Sequence, residues 1–311
     1  MGKLRVPFVF FVDFLFEEPV LLKEDEAAGA GLLFDVRGIS NHGPLTRPEK
    51  ELAFTKQPVT FEEYSRGYNI VKENIAKGNT YLLNYTAPTR INTNYTLNEI
   101  YAAAGAKYKA LWKDKFVFFS PEIFAEIRDG VICSYPMKGT IDADLPDSEN
   151  ILLADRKETA EHNTIVDLIR NDLNIVAAGV KVEKFKYIDK IITNQKPLLQ
   201  MSSKISGRLP DNYNENIGTV IAALLPAGSV TGAPKKKTVE IILEAENYRR
   251  GYYTGIFGRF DGRGLDSCVM IRFIEQSPEG LVFKSGGGIT MFSDARKEYN
   301  EMTDKVYVPV A

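Results

Sequence analysis

IFAEIRDGVICSYPMKGTI, residues 123–141, decides how the rest of the chain is read. Two runs rich in branched and aromatic residues, Ile123–Arg128 and Val131–Pro136, flank the dipeptide Asp129-Gly130. Asp-Gly tolerates the positive φ angles of a tight two-residue turn, so the runs are expected to pair as an antiparallel hairpin. Counting outward from the turn, Arg128 faces Val131 and Glu122 faces Met137, which brings a carboxylate next to Lys138 at the open end. Strict alternation points Glu122 and Lys138 to opposite faces. A shared pocket therefore requires a bulge or twist, for which Pro136 is the candidate. Taken alone, such a pair reads as a weak surface ion pair.

Working outward, helices and further hairpin-like strands alternate irregularly. Thr60 with Glu63, and Thr96 with Glu99, form capping boxes that open helices. Further helices are expected at 156–172, 214–225, 235–247 and 294–306. Strands are expected around 79–91, 115–120, 122–128, 131–137, 180–188, 198–209, 252–260, 267–275 and 281–285. Hairpins imply antiparallel sheet, and the fold class is α+β with helices packed outside the sheets. The opening GKLRVPFVFFVDFLFEE is interrupted by Asp13 and lacks a small-residue cleavage site, so it reads as a core strand and not as a leader. No later run is long and apolar enough to cross a membrane. The segment 40–60, with Pro44, Pro48 and Pro58, is the candidate linker or surface loop. Basic and acidic side chains number 39 and 41, for a net charge of -2, which argues against a nucleic-acid footprint. Cys133, Cys268, His42 and His162 fall into no metal or disulfide spacing, and a reducing, cytoplasmic setting is expected.

Three further clusters carry chemistry. On the helix around 156–172, Glu158 and Glu161 share one face with Ile165 and Leu168. On that around 294–306, Glu298, Glu301 and Lys305 share another. Facing each other, four carboxylates would suit a hard cation such as Mg²⁺; apart, they are two ordinary charged helices. PAGSVTGAPKKK (226–237) is a small-residue loop running into a helix, where backbone N–H groups can receive an anion. It is not a nucleotide P-loop, because Ala233 stands where the second glycine belongs. Finally, Gly286, Gly287 and Gly288 end a strand where backbone can approach a ligand, or where it simply turns.

In chain order, GNTYLLNYT, SPEIF, PMKGT, EHNTIVDLIRNDL, PAGSVTGAPK, RGYYTGIFG, MIRF, GGGI and EYNEMTDK resemble the chorismate-utilising enzymes. That family includes anthranilate synthase component I, aminodeoxychorismate synthase component I, and the isochorismate and salicylate synthases. The resemblance covers residue 60 to the C-terminus and implies a two-lobed fold like that of anthranilate synthase component I, with antiparallel sheets packed as a sandwich. Residues 61–311 would form the chorismate-binding catalytic domain, and 1–60 a trimmed N-terminal segment contributing core strands. The position of Lys138 is alanine in anthranilate synthase-like members and lysine in aminodeoxychorismate synthase, which directs the expectation to 4-amino-4-deoxychorismate formation on the way to p-aminobenzoate and folate.

The resemblance also implies roles. Lys138 would attack chorismate C2 as a neutral amine, and Glu122 would act as general acid and then base. Glu161 and Glu301 would hold Mg²⁺ directly, with Glu158 and Glu298 acting through water. Arg272 and Tyr253 would bind the enolpyruvyl carboxylate; the N–H groups of Gly287 and Gly288, with Lys305, would bind the ring carboxylate. Thr140 and Thr231 are candidate hydrogen-bond donors, and His162 a residue that orients substrate or a neighbouring helix. No glutaminase nucleophile is readable, so a separate glutamine amidotransferase subunit supplying ammonia is expected.

Overall fold

Asp129 (φ 50°) and Gly130 (φ 74°) both take left-handed backbone, and the hairpin around them forms in the expected register. Arg128 faces Val131, Ile127 faces Ile132 and Glu126 faces Cys133. The computed structural model describes residues 1–191 and 197–310. Its first elements are β1 (Phe8–Val12), β2 (Val20–Lys23), β3 (Leu32–Val36), β4 (Ile39–Ser40), β5 (Phe54–Pro58), α1 (Phe61–Ala76), β6 (Leu82–Thr93), α2 (Leu97–Ala103), β7 (Tyr108–Trp112) and β8 (Phe116–Ser120). The hairpin is β9 (Ile123–Arg128) and β10 (Val131–Ser134), followed by β11 (Met137–Asp142), α3 (Ser148–Ala154), α4 (Arg156–Val176), β12 (Ala178–Ile191), β13 (Leu198–Arg208) and α5 (Ile217–Ala223). The remainder is β14 (Gly232–Ala233), α6 (Lys235–Ala245), β15 (Ile256–Phe260), β16 (Leu265–Val269), β17 (Phe273–Ser277), β18 (Gly280–Ile289) and α7 (Ala295–Asp304).

All strand pairings are antiparallel, and they build two sheets. The first runs β11-β13-β10-β9-β16-β15-β1-β2, with β12 on β13; the second runs β14-β6-β18-β17-β8-β7-β3-β4, with β5 on β6. Phe11, Phe34, Phe116, Phe118, Phe257 and Phe273 fill one core with residues of both sheets. Leu173, Ile169 and Ile165 of α4 cover the other face of the first sheet, while α1, α6 and α7 cover the second. This is the α+β sandwich with helices outside. Strand β1 shows why a continuous apolar run was needed: Val9 and Phe11 enter the core shared by the sheets, Phe8, Phe10 and Val12 the core under α4.

Both capping boxes form at α1 and α2. Other expectations need correction. The β9–β10 ladder stops at Glu126 and Cys133, and β11 hydrogen-bonds to β13, with Met137 facing Ser202 and Lys138 facing Met201. Met137 is therefore not paired with Glu122. Pro136 stays in line, its carbonyl accepting from Ser203 N at 3.0 Å. The bulge falls between Lys138 and Thr140 instead, at Gly139, whose φ of 67° suits a residue without a side chain. The apolar run 267–275 is not one strand: β16 lies in the first sheet and β17 in the second, with the crossing at Met270–Arg272. Part of the expected loop 40–60 is β5, paired along β6.

Candidate active site

The bulge at Gly139 is where the site begins. A Cβ there would stand 3.2 Å from Glu158 Oε2 of α4 and 2.8 Å from Leu152 Cδ1 of α3, and the positive φ of Gly139 favours a residue without a side chain. One residue earlier, Lys138 Nζ stands 3.6 Å from Glu161 Oε2, with the two side chains 20% and 6% exposed. Asp155 caps α4 by accepting from Glu158 N at 3.0 Å, and Ile165, Ile169 and Leu173 continue the buried side of that helix. The inner stripe thus anchors the helix and delivers Glu161 to the lysine.

Strand β18 supplies the other wall. A Cβ on Gly288 would lie 3.2 Å from Lys138 Nζ and 3.5 Å from Glu161 Oε2. A Cβ on Gly287 would lie 3.6 Å from Glu298 Oε2, 3.6 Å from Glu301 Oε1 and 3.7 Å from Lys305 Nζ. Successive strand residues project to opposite sides, so α4 and α7 bring their acids to the glycine pair from different directions. Lys305 ties α7 to the glycine strand, donating to Glu301 Oε1 at 2.6 Å and to the Gly286 carbonyl at 2.9 Å.

Glu122 lies just before β9, and its backbone carbonyl accepts from Val269 N at 3.1 Å. Burial raises its carboxyl above the ordinary range, opposed by the Ser229 hydrogen bond and by the charges of Lys138, Arg272 and Lys305. Glu122 thus shares its field with three cations named from the sequence. Ser229 is one residue that sequence reasoning missed as a functional partner; its hydroxyl donates a hydrogen bond to the Glu122 carboxyl. Beside them a space of about 30 Å³ is lined by Ser134, Asp172 and Ser229, enough for a water.

The loop 226–234 is held from below by Arg250, a second missed residue. Its guanidinium donates to the Val230 carbonyl at 2.9 Å, the Asn84 carbonyl at 2.5 Å and both oxygens of Glu246 at 2.6 and 2.8 Å. Both side chains are 2% exposed. No local signal marked this pair, because Glu246 ends α6 in extended backbone and Arg250 lies beyond the helix, where i, i+4 spacing carries no meaning.

Arg272 and Tyr253 lie in turns, not in strands: Arg272 has φ 53°, and Tyr253 precedes Thr254 at φ 63°. Non-glycine residues in this region are strained, a cost found at functional sites. Arg272 packs over the Tyr307 ring at 5.5 Å, and the buried Tyr253 hydroxyl is raised mainly by burial. His162 is fully buried with Nε2 2.7 Å from Ser203 Oγ, and burial first, then Lys186 and Lys138, hold its pKa down to about 4. It is neutral at pH 7 and ties α4 to β13. Thr231 is turned into its own loop, its hydroxyl donating to Ala227 O at 2.8 Å. Thr140 lies exposed beyond the bulge, facing Gln200. Within the loop, Val230 N and Thr231 N donate to the Ala227 and Gly228 carbonyls at 3.3 Å each, and Gly232 and Ala233 pair with β6, so these positions are committed to the loop and the sheet.

Two buried carboxylates, Glu161 and Glu298, with Glu158 and Glu301 beside side-chain-free glycines, make a donor set of hard oxygens that fits Mg²⁺ in kind. Among the described residues no three His, Cys, Asp or Glu side chains are drawn close enough to cage an ion.

Residues 20–311 match the family described as chorismate binding enzyme. The chain belongs to that family. Among its relatives, an uncharacterized PabA-like protein of Haemophilus influenzae is 51% identical over 99% of this chain and 94% of its own length. Anthranilate synthase component 1 1 of Haloarcula marismortui is 34% identical over 83% of this chain and 54% of its own. Aminodeoxychorismate synthase component 1 of Bacillus subtilis is 30% identical over 84% and 57%. In fold, the chain matches the menaquinone-specific isochorismate synthase MenF of Escherichia coli with a TM-score of 0.76 at 18% identity, covering 96% of this chain and 77% of that one. The fold is thus the one on which chorismate-utilising enzymes are built. Among the described residues no helix is long and apolar enough to cross a membrane.

Proposed function

We propose that this member of the family converts chorismate and ammonia to 4-amino-4-deoxychorismate, with Lys138 as a covalent nucleophile. The observation that carries the reading is the place of Lys138: its amine stands at the glycine strand, beside Glu161 and within the field of Glu122. The neutral amine adds to C2 of the ring, the two ring double bonds shift, and the C4 hydroxyl leaves as water with the proton of Glu122. Ammonia then adds at C4, the double bonds shift back and Lys138 leaves C2, while the Glu122 carboxylate takes a proton from the new C4 ammonium. Burial of Glu122 favours the protonated acid that the first half needs. Arg272 and Tyr253 would hold the enolpyruvyl carboxylate. Gly287 and Gly288 N–H groups, with Lys305, would hold the ring carboxylate.

Glu161 and Glu301 would hold Mg²⁺ directly, and Glu158 and Glu298 through water; the ion, when bound, would neutralise the ring carboxylate. Ammonia would come from a separate glutamine amidotransferase subunit. In support, burial raises both thiols, Cys133 and Cys268, away from the thiolate a glutaminase nucleophile needs. Purified chain that released glutamate from glutamine unaided would sink this part.

The test is incubation with chorismate, Mg²⁺ and an ammonium salt, followed by product identification by mass and by conversion to p-aminobenzoate with added aminodeoxychorismate lyase. Conversion, lost in Lys138→Ala, is the expected result. The higher identity to an anthranilate synthase component favours a second reading, amination at C2. Anthranilate as the product would select it and make Lys138 a bystander.

A further inference from the structure

A cleft of about 500 Å³ opens at the opposite end of the first sheet from Lys138. The β9–β10 turn, the β15–β16 turn, the segment after β13 and the N-terminal Arg5 meet there. Strand β9 spans the distance from Arg128 in the cleft to Ile123 beside Glu122, about 17 Å at the usual rise per residue. The cleft is thus separate from the chorismate site.

Four guanidinium groups line it: Arg5, Arg128, Arg208 and Arg263. Only Arg128 is engaged with carboxylates, Asp261 at 3.8 Å and Asp266 at 3.2 Å. Asp261 is further committed to its own turn, accepting from Arg263 N at 2.9 Å and Gly264 N at 2.7 Å. Among the described residues no ion pair is formed by Arg5, Arg208 or Arg263. Asn214 also lines the cleft, at 9% exposure, with its side-chain oxygen buried beneath the surface. Asp129 and Asp211 complete the charged lining, leaving four basic groups against three acidic ones.

We propose that this cleft is a second ligand site that takes a small polyanion, a molecule with at least two carboxylate or phosphate groups. Guanidinium forks match the oxygens of either group in bidentate fashion, and three unengaged forks ask for more than one anionic group. The volume lies within the range of small-molecule sites and is too large for a single inorganic ion to fill. Asp129 and Asp211 on the rim favour a ligand that also carries hydroxyls able to donate to them.

The probes are citrate, for carboxylates, and pyrophosphate, for phosphates, titrated calorimetrically into the full chain without Mg²⁺ at low ionic strength, where exposed charges are least screened. Saturable one-to-one binding of at least one probe is expected, weakened at least about tenfold in the double variant Arg208→Gln, Arg263→Gln. Both residues are exposed, so the double variant should melt like the parent without ligand. Binding in Arg272→Gln should equal the parent's, because that change touches only the chorismate site. No saturable binding of either probe overturns the proposal. So does binding that survives the double variant or disappears in Arg272→Gln, the latter placing the probe in the chorismate site.

Discussion

At the scale of single residues, the site is governed by what stands next to Glu122. Burial lifts its pKa, and the Ser229 hydrogen bond works against that lift. Removing the hydroxyl in Ser229→Ala should therefore move the pKa further up. The acid then stays protonated to higher pH, and the alkaline limb of the kcat profile should shift in the alkaline direction with KM little changed. A serine that only packs the loop would leave that limb in place. Glu122→Gln should lower kcat by about 10² to 10⁴, the usual share of a general acid, measured by chorismate consumption. Sequence reasoning reached Glu122 and Lys138 through a pairing the structure does not contain. Lys138 meets Glu161 of α4 across the bulge at Gly139, and Glu122 feels its charge from the end of β9, an arrangement a hairpin count cannot see because it involves a helix from elsewhere in the chain. Ser229 was visible only as one small residue in a loop, since nothing local distinguishes a hydroxyl that caps a turn from one that holds a carboxyl.

At the scale of elements, β18 makes a sharp contrast between neighbouring glycines. A Cβ on Gly287 would meet nothing nearer than 3.6 Å, so Gly287→Ala should keep its melting temperature within a few degrees. Its methyl would occupy the space assigned to the ring carboxylate, and KM for chorismate should rise at least about tenfold. A Cβ on Gly286 would stand 2.4 Å from the Tyr85 carbonyl oxygen, a backbone atom of the paired strand, and Gly286→Ala should be insoluble or unfolded by circular dichroism. Between helices, Asp172 of α4 and Lys235 of α6 form a pair at 2.7 Å, with side chains 13% and 17% exposed. Burial pushes the aspartate up and the lysine down, each toward its neutral form, so desolvation outweighs their attraction. Asp172→Asn or Lys235→Met alone should cost about 3–5 kcal/mol in urea unfolding, and the double variant should recover most of it. Helices α1, α2, α4 and α7 were legible from caps and spacing. The break at Met270–Arg272 was not, because Met270 and Ile271 continue the apolar pattern of the flanking strands and no glycine or proline marks the crossing.

At the scale of the whole molecule, the first 60 residues are built into both sheets: β1 lies between β15 and β2, and β3 between β7 and β4. Deleting residues 1–60 should leave β15 and β7 as bare edges and give an aggregating product with no cooperative melting transition. The α+β class followed from turns and alternation, whereas strand order did not, since pairing between distant segments leaves no local mark. That same topology sets a clock for the newborn chain. Phe8 pairs with Phe260, and Val12 with Ile256, so β1 has no partner on its β15 side until nearly the whole chain has emerged. At about 5–20 residues per second the wait is roughly 12–50 s. During that time FVFFV, apolar on both faces and uncharged, is a sticky ribbon held to its β2 neighbour alone. The apolar run that completes the first sheet is therefore also a segment that stays exposed and prone to wrong pairing until β15 is made.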